Sequence, residues 1–303
     1  MLHGLMPASV LCVGIAVLDY VFAVDSIPAR AEKYRARDLA VVGGGIAANA
    51  AVAVSRLGGR AALATRLGDD PTGDAIVADL EGEGVDCSPS RRFEGRRSPT
   101  SAIFVDPQGE RLVMSYADPD LPADPTWLPT RLPDDLGAML GDTRWPEGAA
   151  HLFGLARRSG IPAILDGDRR PTLPATMEHA THVAFSAQGL AETTGIADPA
   201  TGLESLAGRA RSWFAVTAGE RGVYFLENGA VAHEPAFAVA VVDTLGAGDV
   251  WHGAFALGLA EGLTERQAVR FASAASAIKC TRFGGRAGAP TRAEVESFLK
   301  ERA

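Results

Sequence analysis

Short runs of apolar, often β-branched residues alternate with longer alanine-rich amphipathic segments along this chain, and no other feature constrains its fold as strongly. The alternation is typical of a parallel sheet whose strands are connected by helices. It predicts core strands at residues 10–18, 61–66, 138–141, 163–166, 182–186, 213–217 and 223–227. It predicts helices at residues 47–57, 72–83, 147–159, 247–261, 265–281 and 292–301. We therefore expect an α/β fold with a doubly wound, mostly parallel sheet.

Two segments interrupt the alternation. Residues 20–42 have an extended pattern without a helix that could cross the sheet, while residues 100–116 contain two apolar runs around the turn sequence Asp106-Pro107-Gln108-Gly109. They predict a small β-sheet, formed by about 20–42 and 99–117, inserted into one domain that spans 1–303. A lid is the functional interpretation, and a decoration at a sheet edge is the alternative. Residues 118–135, rich in Pro and Asp, predict a long surface connection.

The length of 303 residues is enough for one large α/β domain with a small appendage. A formal net charge of −8 disfavours nucleic acid and anionic membranes as partners. Cys12, Cys87 and Cys280 are too few and too scattered for a disulfide framework or a thiolate zinc site, which favours a reducing, cytoplasmic setting. The apolar run 10–18 has the size of a signal-peptide core, but no Lys or Arg precedes it, so a buried strand is favoured.

A first glycine-rich segment, Gly43-Gly44-Gly45-Ile46-Ala47-Ala48, follows an extended run and opens a predicted helix. It fits the dinucleotide-binding pattern G-x-G-x-x-G/A. The strand before it is not the first core strand, however, and no acidic residue ends the next strand at Thr65-Arg66. A dinucleotide oxidoreductase is therefore only a minor alternative.

A second glycine-rich segment, Asp243-Thr244-Leu245-Gly246-Ala247-Gly248-Asp249, runs into a long apolar helix. A Gly-Ala-Gly turn at a helix start directs several backbone N–H groups at one point, with the helix dipole behind them. Such a turn suits a transferring phosphoryl group, and the Asp249 carboxylate beside it suits a base for an attacking hydroxyl. The alternatives are that Asp249 only caps the helix and that Asp243 is only a turn residue.

The second segment continues as Asp249-x-x-x-Gly253-Ala254-Phe255-Ala256 and resembles the C-terminal signature of the ribokinase-like, phosphofructokinase-B type carbohydrate kinases. The N-terminal signature of that family is matched by Gly44-Gly45-x-Ala47-x-Asn49-x-Ala51, followed by Gly58 and Gly68. The two signatures lie about 200 residues apart in the right order, so the resemblance extends over nearly the whole chain. It implies the family's fold and the ATP-dependent, magnesium-requiring phosphorylation of a sugar or nucleoside hydroxyl.

The resemblance also implies roles for individual residues. Asp249 matches the catalytic base, and Gly246, Ala247 and Gly248 match the anion hole. The residues matched to sugar binding are Asp19, Gly44, Gly45 and Asn49, and those matched to nucleotide binding are Thr217, Gly219, Gly222, Thr244 and Cys280. Many relatives have a polar residue at the position of Ile46, so one sugar contact is missing or replaced.

ATP and Mg²⁺ are the implied cofactors, but the resemblance identifies no protein ligand of the metal. The family's N-x-x-E element falls near residues 186–189, which contain neither Asn nor Glu. We therefore expect the metal to depend on the ATP phosphates and water. Asp166 and Asp168 are candidate ligands, and acids in a loop are the simpler interpretation of both.

Within the family, the chain is most similar to ketose kinases of the ketohexokinase and sulfofructose kinase type, in segments such as Lys33-Tyr34-x-Ala36-Arg37 and Asp142-x-Arg144-Trp145. That similarity implies transfer to O1 of 6-deoxy-6-sulfofructose. Lys33 and Arg144 match the cations that bind the sulfonate, and a permanent anion does need charged donors. Ser115 stands where an asparagine is expected.

Several alternatives to this substrate assignment remain open. Lys33 is alternatively a surface lysine, and Arg144 a member of a structural ion pair. Fructose, a 6-phosphoketose or another sugar or nucleoside are the alternative substrates. The family resemblance further implies a homodimer formed through the lid. A non-catalytic sugar- or nucleotide-sensing module on the same fold is the alternative from a different functional class.

Overall fold

The computed structural model describes residues 7–208 and 212–302. The strands are β1 (Ser9–Val13), β2 (Val17–Ala23), β3 (Asp38–Gly44), β4 (Arg60–Ala64), β5 (Arg66–Gly68), β6 (Val85–Asp86), β7 (Arg91–Phe93), β8 (Thr100–Val105), β9 (Arg111–Tyr116), β10 (Leu136–Gly141), β11 (Ala163–Gly167), β12 (His182–Ser186), β13 (Trp213–Thr217), β14 (Val223–Glu227) and β15 (Ala230–Glu234). The helices are α1 (Ile46–Arg56), α2 (Pro71–Gly82), α3 (Pro146–Ser159), α4 (Pro174–His179), α5 (Ala187–Thr194), α6 (Pro199–Glu204), α7 (Ala247–Ala260), α8 (Glu265–Cys280) and α9 (Arg292–Lys300).

Every predicted helix is present, with ends that differ from the expected ones by no more than one residue. Helices α4, α5 and α6 were not predicted because, at six to eight residues, they are too short to show a clear helical repeat. Among the helices of 7–208 and 212–302, none combines the length and the apolar character needed to cross a membrane.

The main sheet has the strand order β15-β14-β13-β12-β11-β10-β1-β4-β6. Neighbouring strands are parallel from β6 to β13, and β14 and β15 add an antiparallel edge. Because the order runs outward in both directions from β1 and β10, the sheet is doubly wound, which confirms the predicted fold class. Its topological switch point lies at the carboxyl ends of β1 and β10, where open α/β sheets bind their ligands.

Helices cover both faces of the main sheet. In β1, Val10 and Cys12 belong to a core that includes residues of α1, α7 and α8, whereas Leu11 and Val13 belong to the opposite core with α3. This division follows from the two-residue repeat of a strand. Helix α1 consists largely of buried small residues, and α7 has a glycine where it meets α1. The two helices therefore pack closely, and their first turns lie together near the switch point.

A second sheet, which we call the small sheet, has the order β3-β2-β8-β9. Strands β2 and β8 are parallel, and the two outer pairs are antiparallel. Asp19, Ser101 and Ser115 are directly paired across β2, β8 and β9, so they form a row on one face. The opposite face is apolar and carries the exposed side chains of Leu39, Val41, Leu112, Met114 and Tyr116.

The first predicted strand, 10–18, is wrong as a single core strand. β1 ends before Gly14, where the chain turns, and β2 then leaves the main sheet for the small one. The turn is stabilised by Asp142, whose carboxylate accepts the N–H of Ile15. Asp19 therefore lies within β2 and does not end a core strand. The apolar composition is continuous across the turn, so the pattern could not show the break.

The strand expected at 61–66 is also divided, since β4 belongs to the main sheet while β5 pairs with β7 in a separate ribbon. The connection 118–135 contains neither helix nor strand, but it is more than a surface segment. Trp127 stacks on Trp145 with ring centroids 5.4 Å apart, and Leu128 and Leu132 are buried. This connection therefore covers part of the core next to α3.

Candidate active site

Asp142 follows β10 at the switch point and is fully buried. Its Oδ2 accepts the N–H groups of Ile15 at 2.8 Å and Ala47 at 3.2 Å, and its Oδ1 accepts the N–H of Arg144 at 2.8 Å. Burial raises the pKa of Asp142 to about 6, although these donors oppose the shift. One carboxylate thus ties the turn before β2 to the start of α1.

The start of α1 lies directly against the turn before β2. Gly45, the residue before α1, has a φ of 94°, and a Cβ on it would lie 2.5 Å from a carbonyl oxygen of that turn, so only glycine fits without strain. Gly44 leaves space for the carboxylate of Asp19, which accepts a hydrogen bond from Ser101 Oγ. Burial raises the pKa of Asp19, while Ser101 and the charge of Arg286 lower it. Asp19 can therefore accept hydrogen bonds from hydroxyl groups of a ligand.

The segment 243–249 forms the start of α7. Gly246 precedes the helix with a φ of 73° and has no side chain that could cap the first N–H groups. The N–H groups of Gly248 and Asp249 belong to the first turn, where no earlier helical carbonyl can accept them. Together with the helix dipole, they make up the kind of site that binds an anion.

Asp249 and Asn49 connect the start of α7 with that of α1. Nδ2 of Asn49, which is only 8 % exposed, donates to Oδ2 of Asp249 at 2.6 Å. Burial and, after it, the charge of Asp166 raise the pKa of Asp249 to about 7, against the lowering effect of the Asn49 hydrogen bond. A carboxylate with a pKa near neutrality suits a base that takes up a proton and later releases it.

A buried pair, His252 and Asp166, lies behind the first turn of α7. Nδ1 of His252 is 2.8 Å from the carbonyl oxygen of Gly248 and 3.0 Å from Oδ2 of Asp166, and its Nε2 is 3.1 Å from the carbonyl oxygen of Ala184. Burial raises the pKa of Asp166 and lowers the pKa of His252. The imidazole therefore links α7 to β11 and β12 and fixes the turn that carries Asp249.

A cavity of about 730 Å³ opens beside the start of α7. All the residues matched to nucleotide binding line it, namely Thr217, Gly219, Gly222, Thr244 and Cys280. Ala247 and Gly248 contribute to the same wall, and apolar side chains such as Phe237, Val239 and Trp251 form another part. The volume lies in the range of pockets that hold small-molecule ligands and cofactors.

Residues 7–292 match the pfkB family of carbohydrate kinases. The chain belongs to this family. The ribokinase of Bacillus subtilis is 30 % identical over 291 residues, which cover 95 % of this chain and 98 % of the ribokinase. Fructokinase-1 of Zea mays is 29 % identical over 287 residues, which cover 85 % of this chain and 88 % of the fructokinase. A crystal structure of an Agrobacterium tumefaciens protein assigned as a ribokinase matches with a TM-score of 0.89, 40 % identity and 98 % coverage of both chains.

These similarities confirm the predicted family, the ribokinase-like fold and an ATP-dependent carbohydrate kinase activity. The dinucleotide alternative fails on topology. Gly43 and Gly44 end β3 of the small sheet and Gly45 follows it, whereas the dinucleotide fingerprint requires a strand of the parallel sheet before it.

The three residues matched to sulfonate binding lie in different parts of this carbohydrate kinase. Ser115 lies on the same face of the small sheet as Asp19. Lys33 is exposed in the connection between β2 and β3. Arg144 forms an ion pair with Asp168, and its Nη1 is 3.3 Å from Thr143 Oγ1.

The candidate metal ligands of the kinase have other partners. Asp168 accepts a hydrogen bond from Thr143 Oγ1 at 2.6 Å in addition to its Arg144 pair, and Asp166 contacts His252. In residues 7–208 and 212–302, no group of three or more His, Cys, Asp or Glu residues is placed to hold a metal ion. Residues 186–189, at the end of β12 and the start of α5, do not add a carboxylate.

Sequence reasoning missed three residues near the site. His252 was detectable, because it follows Asp249 by three residues and so shares its helix face. Ser101 and Arg111 had no such local signal. Arg111 Nη2 lies 2.8 Å from Oδ1 of Asp243, a residue 132 positions away in the sequence. Only the folded chain brings this pair together.

Proposed function

We propose that this kinase transfers the γ-phosphoryl group of ATP to a hydroxyl group of a ketose. One observation carries the proposal. The carboxylate of Asp249 and the free N–H groups of Gly248 and Asp249 belong to the same helix start. One side of that turn lines the cavity, and the other contacts Asn49, next to Gly45 and Asp19.

The geometry supports a direct transfer. Asp19 and Asn49 hold the sugar, and the carboxylate of Asp249 accepts the proton of the attacking hydroxyl. The oxygen of that hydroxyl forms a bond to the γ-phosphorus, the bond from this phosphorus to the ADP oxygen breaks, and ADP leaves with the electron pair. The N–H groups of the α7 start stabilise the negative charge on the transferring group. Asp249 then releases its proton to solvent.

The cavity at Thr217, Gly219 and Cys280 is proposed to hold the adenosine part of ATP, with the phosphates directed toward Thr244 and Gly248. This orientation follows from the chemistry of the walls, because the apolar surface suits a base and the helix start suits phosphates. Mg²⁺ that accompanies ATP would be bound by the phosphates and water, since the described carboxylates form no cluster for it.

A neutral ketose such as fructose is the substrate that the site supports best. The row formed by Asp19, Ser101 and Ser115 offers hydroxyl and carboxylate groups that suit sugar hydroxyls. Among the relatives, the fructokinases agree with such a substrate. A second candidate, 6-deoxy-6-sulfofructose, is favoured by the sequence similarity around Lys33 and Arg144. It requires Arg144 to exchange Asp168 for the sulfonate.

A coupled ADP-release assay separates the two substrates. We expect the kcat/KM of the purified enzyme to be higher for fructose than for 6-deoxy-6-sulfofructose, fructose 6-phosphate or ribose. Arg144→Met should change the fructose value by less than about threefold. Arg169→Met, which breaks a comparable pair with Glu192, is the matched control. A preference for sulfofructose that Arg144→Met abolishes would establish the second candidate, and no turnover with any ketose would refute the proposal.

The small sheet is proposed to act as a lid over the sugar and as the interface of a homodimer. Its polar face carries Asp19, and closure over that face would exclude water, a competing phosphoryl acceptor. Its apolar face exposes 67 % of Met114, together with neighbouring aliphatic side chains. A second copy of this chain would bury that surface. Light scattering should give the mass of two chains for wild type and for Gln108→Glu, and the mass of one chain for Met114→Glu.

A further inference from the structure

Lys279 in α8 is completely buried, with 0 % exposure. Lys33, Lys279 and Lys300 are the only lysines among 29 basic residues, so this chain uses lysine rarely and still places one in its interior. A buried ammonium group without partners costs several kcal/mol. Its Nζ donates to the main-chain oxygen of Asp243 at 2.7 Å and lies 3.2 Å from the Oδ2 of the same residue. Both contacts are therefore made to a single residue.

Asp243 holds the segment that leads to the anion hole. Its Oδ1 accepts the N–H of Leu245 at 2.8 Å, and its Oδ2 accepts the N–H groups of Gly284 at 3.1 Å and Gly285 at 3.3 Å. Burial alone would raise the pKa of Asp243, but the N–H groups of Leu245 and Gly285 and the ammonium of Lys279 lower it. The carboxylate thus stays charged and joins the loop before α7 to the loop after α8.

We propose that Lys279 is a positioning residue of the phosphoryl-transfer site, a built-in cation that holds the main chain of residues 243–246 so that the first turn of α7 presents its N–H groups correctly. This inference rests on the proposed role of that turn. A compact ammonium can contact the carbonyl and the carboxylate of one residue at the same time, whereas the larger planar guanidinium of arginine requires more space. Among the described residues, the hydrogen bonds of Nζ go to Asp243 alone.

The test compares Lys279→Met and Lys279→Ala with Lys300→Met, a change of an exposed lysine in α9. Both Lys279 variants are expected to lose about 10- to 100-fold in kcat, with the KM for the ketose changed by less than about threefold. Methylammonium should partly restore the kcat of Lys279→Ala, because it fits the vacated space, while tetramethylammonium should not. Wild-type kcat in Lys279→Met would overturn the proposal. So would an equal rise of both KM values without rescue, which indicates a structural role only.

A double variant tests whether the loss of kcat results from misfolding. Lys279→Met combined with Asp243→Asn removes both buried charges together, and Arg111, the other charged partner of Asp243, is partly exposed to solvent. It should fold, as judged by circular dichroism and thermal denaturation, and should retain the loss of kcat. Full activity in the double variant would also overturn the role of Lys279. If wild type and Lys300→Met phosphorylate no ketose, the proposed function fails instead, and this outcome is distinct from a failure limited to Lys279.

Discussion

The proposed phosphate side and the proposed sugar side of the site are built in different ways. On the phosphate side, main-chain N–H groups at the start of α7 and the glycines around the cavity come from short continuous segments. On the sugar side, Asp19, Ser101, Ser115 and Asn49 come from β2, β8, β9 and α1. The phosphate side thus depends on local backbone conformation, and the sugar side depends on how separate elements pack.

With this difference, we expect changes of the acceptor site to leave the donor site largely intact. A phosphate cradle made of main chain tolerates most side-chain substitutions, provided that its glycines remain. A sugar site made of side chains on four elements changes with each of them. Asp249 lies where the two sides meet, since it belongs to the helix start and contacts Asn49. Variants on either side should therefore affect different kinetic constants.

Asp249→Asn should have the largest effect. The substitution preserves the size of the side chain but removes the proposed base, so kcat is expected to fall by about 10²- to 10⁴-fold. Binding of ATP and of the ketose, measured by calorimetry, should stay within about threefold of wild type. Asp74→Asn, which changes an acid in the first turn of α2, is the matched control. Turnover close to wild type in Asp249→Asn would show that the base is another group.

The pH dependence should be the next largest effect. The pKa of Asp249 is raised to about 7 in the folded enzyme, and the base acts only when it is unprotonated. The kcat/KM should therefore rise with pH through about 7 and fall about tenfold per unit below it. Asn49→Ala removes a hydrogen bond that lowers this pKa, so its midpoint should move to higher pH. A flat profile between pH 5 and pH 8 would contradict the assignment.

Arg111→Met should have a smaller effect, confined to the sugar side. The substitution removes the ion pair between β9 of the small sheet and Asp243, while Asp243 keeps Lys279 and its main-chain donors. We expect the KM for the ketose to rise about five- to tenfold and the KM for ATP to change little. Arg96→Met, which breaks the exposed pair with Asp120, is the control. An equal increase in the KM for the ketose and the KM for ATP would contradict the expectation that the two sides act independently.

The same difference decides what could be predicted from the sequence. The helix start at 243–249 was predicted because its glycines and its acid are adjacent in the chain, and the predicted nucleotide residues do line one cavity. The pairing of Asp19 with Ser101, and of Arg111 with Asp243, could not be predicted, since each depends on strands that are distant in sequence. The break in strand 10–18 was missed because Asp142, which stabilises it, lies far along the chain.

Arg111 connects the far end of the small sheet to Asp243, in the segment before α7. At the other end of the sheet, the carboxylate of Asp142 accepts the N–H of Ile15 in the turn before β2. Arg111 lies in the row of Ala23 and Val105, which is five residues along the strands from the row of Leu18 and Tyr116 near that turn. Five residues of strand span about 17 Å, so a rotation of the sheet by about 10° about the end at Asp142 would move Arg111 by about 3 Å. That displacement is about the length of the 2.8 Å contact between Arg111 and Asp243, so opening of the proposed lid by this angle would break the contact.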